Sequence, residues 1–239
     1  MTDTLQKIAF VTGASSGIGR AITKRLAADG HHVIAAARRT DLLDELAETD
    51  GVEACALDVT DLEAVRAAVT ATVERHGRLD VFVANAGVMP LSRLDAGLVD
   101  QWNHMIDVNV RGLLHGIAAV SGPFGEQGSG HFVTIASIGA HGVTPTAAVY
   151  CGTKYAAWAI TEGLRLESPP GIRVTTVSPG VVESELAGTI TDPTAQQAMS
   201  EYRRNAIPAS AIADAVAFAV SQPPEVDVNE IVVRPASQR

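Results

Sequence analysis

Cysteine is scarce in this sequence of 239 residues, which contains only Cys55 and Cys151. Two cysteines are too few for a disulfide framework, and no Cys or His spacing typical of a metal site is present. We therefore expect a protein that keeps its thiols reduced, binds no metal ion and resides in the cytoplasm.

Excess positive charge and long apolar runs are also missing. The formal net charge is −9, whereas binding to nucleic acid draws on clustered lysine and arginine. No apolar stretch reaches the roughly 18 residues of a membrane-spanning helix, and no basic region followed by an apolar one opens the chain. We expect a protein without a nucleic-acid partner, a membrane span or a signal peptide.

What the chain does contain is a regular alternation of short apolar runs and helical patterns. The apolar runs are continuous, which is typical of parallel strands covered on both faces. Strands are predicted at residues 7–11, 32–36, 53–57, 80–84, 131–136, 173–178 and 229–233. Helices are predicted at residues 17–29, 41–48, 61–75, 99–121, 149–168 and 208–221, with a capping box at 60–63. This order predicts one α/β domain over residues 1–239, a doubly wound parallel sheet with helices on both faces.

One connection is longer than the others, namely the 181–207 segment between the sixth strand and the last helix. A connection of this length in a compact domain is usually functional or disordered. It follows the carboxyl end of a parallel strand, where ligands bind in such sheets. We interpret it as a segment with one or two short helices that covers the substrate; a surface excursion is the alternative.

A glycine-rich turn lies between the first strand and the first helix, with the sequence Gly13-Ala14-Ser15-Ser16-Gly17-Ile18-Gly19. Glycines let the backbone approach a pyrophosphate, and the following helix N-terminus offers free N–H groups to it. The position of the turn after the first strand favours dinucleotide binding over a simple tight connection.

The end of the second strand bears on which nicotinamide cofactor binds. An NAD site places an acid about twenty residues after the glycines, to accept from the ribose 2′-hydroxyl. This chain has Arg38 and Arg39 there, and arginine is suited to phosphate recognition. We predict NADPH, with Arg38 as the first choice for the 2′-phosphate and Arg39 as the second; a solvated arginine pair is the alternative.

Two further strand ends face the same predicted crevice. Asp58 follows the third strand, where it could accept from the adenine amino group or simply precede the next helix. Asn85-Ala86-Gly87 follows the fourth strand. We expect Asn85 to brace the strands, while Ala86 and Gly87 leave room for the cofactor ribose.

Tyr150 and Lys154 are four residues apart on a predicted helix and so share one face. A phenol has a pKa of about 10, and an ammonium about 4 Å away is worth roughly 4 kcal/mol at an effective dielectric constant near 20. That energy corresponds to about three pKa units, so we expect Lys154 to bring the pKa of Tyr150 toward neutrality. Ser137, just past the fifth strand, could stabilise a substrate oxygen as it becomes alkoxide-like. The alternatives are an exposed Tyr-Lys pair and an ordinary serine cap.

These motifs make the chain resemble the short-chain dehydrogenase/reductase family over essentially its whole length. The matching residues are Thr12-Gly13-x-x-x-Gly17-x-Gly19, Asn85-Ala86-Gly87, Asn109, Ser137, Tyr150-x-x-x-Lys154 and Pro179-Gly180. The chain departs from the family pattern at Ala84, where a second Asn is common, and at Ser184, where Thr is common. The resemblance implies a Rossmann-type, seven-stranded parallel sheet, nicotinamide-dependent oxidoreduction and a homotetramer or homodimer, and the arginine pair makes NADP(H) the expected cofactor.

The resemblance also assigns roles to individual residues. It implies that Tyr150 is the general acid or base, that Lys154 also binds the ribose, and that Ser137 holds the substrate oxygen. Asn109 would order a proton relay from Lys154 to solvent. The implied cofactor site comprises Gly13, Ser15, Ser16, Gly17, Ile18, Gly19, Arg38, Arg39, Asp58, Val59, Asn85, Ala86, Gly87, Tyr150, Lys154, Pro179, Gly180, Val182 and Ser184.

The sequence therefore predicts an NADPH-dependent reductase of ketones or aldehydes. Its end, residues 228–235, is similar to bacterial NADP-dependent 3-hydroxy acid dehydrogenases and clavulanate-type dehydrogenases. A reductase of 3-oxoacyl thioesters and a non-catalytic NADPH sensor or scaffold are the alternatives. We expect a small, mainly apolar pocket lined by residues 88–91, 138–143 and the 181–207 segment, in which His141 could reach the substrate or lie at the surface.

Overall fold

The computed structural model describes residues 6–238, and a seven-stranded sheet forms its centre. The strands are β1 (Ile8–Thr12), β2 (His32–Ala37), β3 (Val52–Ala56), β4 (Val81–Ala84), β5 (Gly130–Ile135), β6 (Ile172–Pro179) and β7 (Glu230–Val233). Their order is β3-β2-β1-β4-β5-β6-β7, and every neighbouring pair is parallel. The predicted doubly wound sheet is confirmed, and each strand lies within one residue of its expected bounds.

Eight α-helices connect the strands within the described residues. They are α1 (Gly17–Ala28), α2 (Thr40–Ala47), α3 (Leu62–His76), α4 (Val99–Ile106), α5 (Gly112–Gln127), α6 (Ala148–Glu167), α7 (Pro193–Tyr202) and α8 (Ala209–Ser221). None of these helices is long and apolar enough to cross a membrane.

The helices cover both faces of the sheet because the strand side chains are apolar on both sides. Alternate strand residues such as Val11 and Val83 pack against α1, α2 and α8 on one face. Their neighbours Phe10 and Phe82 pack against α3, α5 and α6 on the other. The rings of Phe10, Phe82 and Phe132 stack across three adjacent strands, with 5.4 Å between successive centroids. The continuous apolar runs of the sequence thus reflect burial on both faces.

The single helix predicted over residues 99–121 is wrong in detail. The chain forms α4, then a π-helical turn at Asp107–Arg111, then α5, which continues to Gln127. A π turn holds one residue more than an α turn, and such turns are frequent at functional sites. Here the turn carries Asn109, whose side chain points into the protein and is buried.

The capping box predicted at residues 60–63 is also wrong. Asp61 is the N-cap of α3, and its carboxylate accepts a hydrogen bond from the Ala64 N–H at 3.0 Å. The hydroxyl of Thr60 instead donates to Asp58 at 2.8 Å. The Thr60 side chain is thus engaged in the loop before α3, and Asp61 supplies the cap.

The 181–207 segment has more structure than a loop. It contains a 3₁₀ helix at Glu185–Thr189, then α7, then a 3₁₀ turn at Arg203–Asn205. Asp192 caps α7 by accepting from the Ala195 N–H at 2.8 Å. The short helices expected in this segment are therefore present, and they lie along one side of a cleft at the carboxyl edge of the sheet.

Candidate active site

A cleft of about 930 Å³ opens at the carboxyl ends of the strands, where the connections from β1 and β4 run to opposite faces of the sheet. Ligands bind at this switch point in open α/β sheets. Every residue of the implied cofactor site, together with Ser137, lines the cleft. Asn109 is the one predicted site residue that does not, since it lies beneath the floor of the cleft near Lys154.

The glycine turn forms one end of the cleft. Gly13 and Gly17 have positive φ angles of 65° and 52°, which only glycine adopts readily. A Cβ at Gly19 would lie 2.3 Å from the carbonyl oxygen of Gly13, so the start of α1 packs directly on the turn. Ser16 makes no side-chain capping bond, and no acid occupies the first turn of α1. The N–H groups of that turn are thus available to an anion, an arrangement that fits a pyrophosphate.

Asn85 and Thr12 join the ends of β4 and β1. The Asn85 side-chain amide donates to the Thr12 carbonyl at 2.9 Å and to the Gly13 carbonyl at 3.3 Å. The Thr12 hydroxyl accepts from the backbone N–H groups of Asn85 and Ala86, at 3.0 and 3.1 Å. Asn85 therefore braces the strands as expected, and it does so by holding the glycine turn against β4.

The two arginines after β2 have different surroundings. Arg39 donates to the hydroxyls of Ser15 and Ser16 on the glycine turn, at 3.1 and 2.6 Å from one nitrogen, and pairs with Glu185 at 2.8 Å. Arg38 is 59% exposed and lies 4.0 Å from the carboxylate of Asp58. Arg38 therefore has the more available guanidinium, whereas that of Arg39 already links the glycine turn to the 181–207 segment.

Asp58 is partly engaged by its own loop. Its carboxylate accepts from the Thr60 N–H at 2.9 Å as well as from the Thr60 hydroxyl. Burial acts to raise the pKa of Asp58, but these bonds and the positive charge of Arg38 outweigh burial and lower it. The neighbouring Val59 packs against Gly112, where a Cβ would lie 2.8 Å from a Val59 methyl group.

Tyr150 and Lys154 project from α6 into the middle of the cleft, with Ser137 at the end of β5 beside them. The Lys154 ammonium lies 5.9 Å from the centre of the Tyr150 ring and donates to the Ile135 carbonyl at 3.0 Å. The Ser137 hydroxyl accepts from the Gly139 N–H at 3.0 Å. The hydroxyls of Ser137 and Tyr150, which can both donate to one substrate oxygen, thus lie near the Lys154 ammonium where β5 and α6 approach each other.

The expected lowering of the Tyr150 pKa is wrong for this structure. Burial raises the pKa of Tyr150 to about 12, and the hydrogen bond from Ser137 opposes that rise only in part. Burial also lowers the pKa of Lys154 to about 8. The prediction assumed that the ammonium lies about 4 Å from the phenol, and it underestimated desolvation. Desolvation disfavours both the Tyr150 phenolate and the Lys154 ammonium.

Asn109 connects three parts of the site from its π turn. Its amide donates to the Val88 carbonyl at 2.9 Å and to the Thr153 hydroxyl at 3.1 Å, and its oxygen accepts from the Val88 N–H at 2.8 Å. Thr153 in turn donates to the Tyr150 carbonyl at 2.7 Å. Asn109 therefore fixes the loop after β4 relative to α6, the helix that carries Tyr150 and Lys154.

The far wall of the cleft comes from the end of β6 and the 181–207 segment. Pro179, Gly180, Val182 and Ser184 all line it. Ser184 faces the glycine turn, since a Cβ at Gly17 would lie 3.3 Å from the Ser184 Cβ. The Arg203 guanidinium donates to the Ser184 carbonyl at 2.7 Å and holds this stretch in place.

Two other residues that line the cleft, Arg234 and Gln238, have no local pattern that would predict their position there. Gln238 accepts from the Val181 N–H at 3.2 Å, so the end of the chain closes one corner of the cleft. His141 also faces the cleft, but its Nε2 lies 2.9 Å from Glu230 and 3.2 Å from the Ser178 hydroxyl. These contacts tie the loop after Ser137 to β6 and β7.

Known proteins are similar to this chain over most or all of its length. The family model for short chain dehydrogenases matches residues 7–195. An uncharacterized oxidoreductase of Staphylococcus saprophyticus is 43% identical over 244 residues, covering 100% of this chain and 99% of the relative.

Two solved structures illustrate the range of cofactors among relatives. An alcohol dehydrogenase from the archaeon Thermococcus sibiricus, complexed with 5-hydroxy-NADP, is 31% identical with a TM-score of 0.86 over 98% of both chains. A 3-ketoacyl-(acyl-carrier-protein) reductase from Brucella melitensis, complexed with NADH, is 28% identical with a TM-score of 0.85 over 96% of this chain and 98% of that one. Structural relatives therefore bind either nicotinamide cofactor.

Proposed function

The chain belongs to the short-chain dehydrogenase family, and we propose that it is an NADPH-dependent oxidoreductase that reduces a ketone or aldehyde to an alcohol. The observation that carries this proposal is the meeting of Tyr150, Lys154 and Ser137 in a cleft that begins at the glycine turn before α1. When bound, the reduced nicotinamide supplies a hydride to the carbonyl carbon. All other parts of the reaction are assigned to side chains of this protein.

Ser137 and Tyr150 act on the carbonyl oxygen. The Ser137 hydroxyl donates a hydrogen bond to that oxygen and stabilises the negative charge that develops on it. Tyr150 donates a hydrogen bond to the same oxygen and then transfers its proton. With a pKa of about 12, the phenol is protonated at neutral pH and is ready to act as an acid.

Lys154 stabilises the phenolate that remains after proton transfer. Its ammonium is buried and charged below a pKa of about 8, so its field is little screened by water. Lys154 would also bind the ribose hydroxyls of the cofactor. Asn109 supports the proton relay from Lys154 to solvent. Asn109 serves the relay by positioning, through the bonds that fix α6 and the loop after β4.

The choice of NADPH rests on the charges at the end of β2. A 2′-phosphate requires cations, and Arg38 and Arg39 stand where an NAD site has an acid. The exposed guanidinium of Arg38 is the better ligand, because Arg39 is already bonded to Ser15, Ser16 and Glu185. Asp58 and Val59 border the adenine end of the site.

The substrate class follows from the other end of the cleft. Its walls are mainly apolar, with Met89, Leu91 and Val143 among them. Arg203 and Arg234 add positive charge at the rim, which suits ketones and 3-oxo acids of modest size. The 181–207 segment covers this part of the cleft. Because the Brucella melitensis relative is a 3-ketoacyl-(acyl-carrier-protein) reductase, a 3-oxoacyl thioester is the second candidate substrate.

A homotetramer or homodimer is part of the proposal. Leu114 and Tyr155 are more than 40% exposed on α5 and α6, and Phe218 and Val232 are 55% and 46% exposed on α8 and β7. An assembly that pairs these elements would remove their exposed apolar side chains from water. These two surfaces are the ones expected to pair around twofold axes.

Replacing Tyr150 with Phe should lower turnover by about 10²–10⁴-fold, the contribution of a general acid. NADPH binding, measured by fluorescence, should be retained, because the ring still fills its place in the cleft. The matched control is Tyr155→Phe, on the same helix but outside the cleft, which removes only a hydroxyl group. Wild-type turnover in Tyr150→Phe would exclude the mechanism, and the absence of any turnover in the wild type with intact NADPH binding would favour a sensor.

Replacing Arg38 with Asp should shift the ratio of kcat/KM for NADPH to that for NADH toward NADH by at least about tenfold. A bond to a charged group is worth roughly 1.5–3 kcal/mol, and the new carboxylate repels the 2′-phosphate. Arg39→Asp should shift the ratio less and also loosen the 181–207 segment. Arg66→Asp, on the exposed side of α3, should leave the ratio unchanged; an unchanged ratio in Arg38→Asp would refute the assignment.

The rate of carbonyl reduction should fall as the pH rises through about 8. Burial lowers the pKa of Lys154 to about 8, so the ammonium is present below that pH and lost above it. Tyr150, with its raised pKa, stays protonated throughout. In Lys154→Arg the charge persists at high pH, so any residual activity should lose this decline. Identical pH profiles in the two proteins would show that Lys154 does not set the pH dependence.

A further inference from the structure

A second cluster of polar side chains lies at the amino edge of the sheet, opposite the cleft. His32 begins β2, Glu53 lies near the start of β3, and His76 ends α3. The Glu53 Oε2 is 3.6 Å from the His32 Nε2 and 3.5 Å from the His76 Nε2. All three atoms lie within 4.8 Å of one another, and the two imidazole rings are 4.6 Å apart. Residues 21 and 23 positions apart in the sequence thus converge on one point.

The two imidazole nitrogens lack hydrogen-bond partners. Among the described residues, the Nε2 atoms of His32 and His76 are shielded from solvent and bonded to nothing. Separations of 3.5 and 3.6 Å from the Glu53 oxygen are too long for good hydrogen bonds. Buried polar atoms without a partner are rare in native proteins and often indicate an ion or a water molecule.

The Glu53 carboxylate is shared between the two imidazoles and the Arg75 guanidinium. Arg75 contacts the other oxygen of Glu53, Oε1, and leaves Oε2 facing the rings. Arg75 is 61% exposed and can turn toward solvent if a cation enters.

We propose that the Nε2 atoms of His32 and His76 and the Oε2 of Glu53 bind a divalent transition-metal ion of the Zn²⁺ type. Zinc bonds of about 2.0–2.1 Å in a tetrahedral arrangement place ligand atoms roughly 3.3 Å apart, close to the two separations here. Two imidazoles and one carboxylate suit Zn²⁺, Ni²⁺ or Cu²⁺, whereas Mg²⁺ and Ca²⁺ prefer oxygen ligands. The site is partly open, so water completes the coordination.

The role of this ion is to stabilise the fold. Its ligands come from β2, β3 and α3, so one ion joins the outer edge of the sheet to the helix that covers it. An ion that binds only the folded state raises stability in proportion to the logarithm of its concentration. The site lies at the sheet edge opposite Tyr150, so it takes no part in hydride or proton transfer.

The test is a Zn²⁺ titration of the full-length protein after removal of metal by a chelator. Calorimetry should show one Zn²⁺ per chain, and Co²⁺ should give the visible absorption of a tetrahedral complex. At a free Zn²⁺ concentration about 100 times Kd, the Tm should rise by roughly 5–10 °C. His32→Gln and His76→Gln should each weaken Zn²⁺ binding by at least about tenfold and remove most of the rise in Tm.

His104→Gln, on an exposed surface of α4, is the matched control and should bind Zn²⁺ as the wild type does. The proposal fails if the wild-type protein takes up no Zn²⁺, or if the His32 and His76 variants bind it as tightly as His104→Gln. If either variant fails to fold, the cobalt spectrum of the wild-type protein still tests the proposal, because a spectrum without tetrahedral bands would contradict the proposed metal site.

Discussion

The requirement that a parallel sheet be covered on both faces governs the arrangement of this molecule. Each connection must return to the amino edge before the next strand begins, so every strand ends at the same carboxyl edge. Between β1 and β4 the connecting helices run to opposite faces of the sheet, and a cleft opens there. Hydrogen bonds between Thr12 and Asn85 join the ends of β1 and β4, and the bond from Asn85 to Gly13 holds the glycine turn in place.

Burial then sets the chemistry of the groups that meet in the cleft. Lys154 is 7% exposed, and its ammonium is held by a backbone carbonyl rather than by a carboxylate. The same desolvation raises the pKa of Tyr150 and lowers that of Lys154. A protonated phenol beside an ammonium that titrates near neutral pH is well arranged to give a proton and to stabilise the resulting phenolate.

Features that depend on short-range patterns were predicted correctly from the sequence, whereas features that depend on contacts between distant parts of the chain were not. Continuous apolar runs located all seven strands, and residue spacing located Tyr150 and Lys154 on one helix face. The π turn at Asn109 could not be foreseen, because its bonds to Val88 and Thr153 depend on tertiary packing. The raised pKa of Tyr150 needed the buried geometry. The convergence of His32, Glu53 and His76 likewise has no signature in local spacing.

The most direct test of the account compares NADPH and NADH consumption by the wild-type protein over a panel of ketones, aldehydes, diketones, 3-oxo acids and 3-oxoacyl thioesters. We predict turnover of at least one free carbonyl compound, with a higher kcat/KM for NADPH than for NADH. Turnover confined to thioesters would replace the proposed substrate class with the second candidate. Equal or greater efficiency with NADH, or no consumption of either cofactor with any carbonyl, would contradict the account.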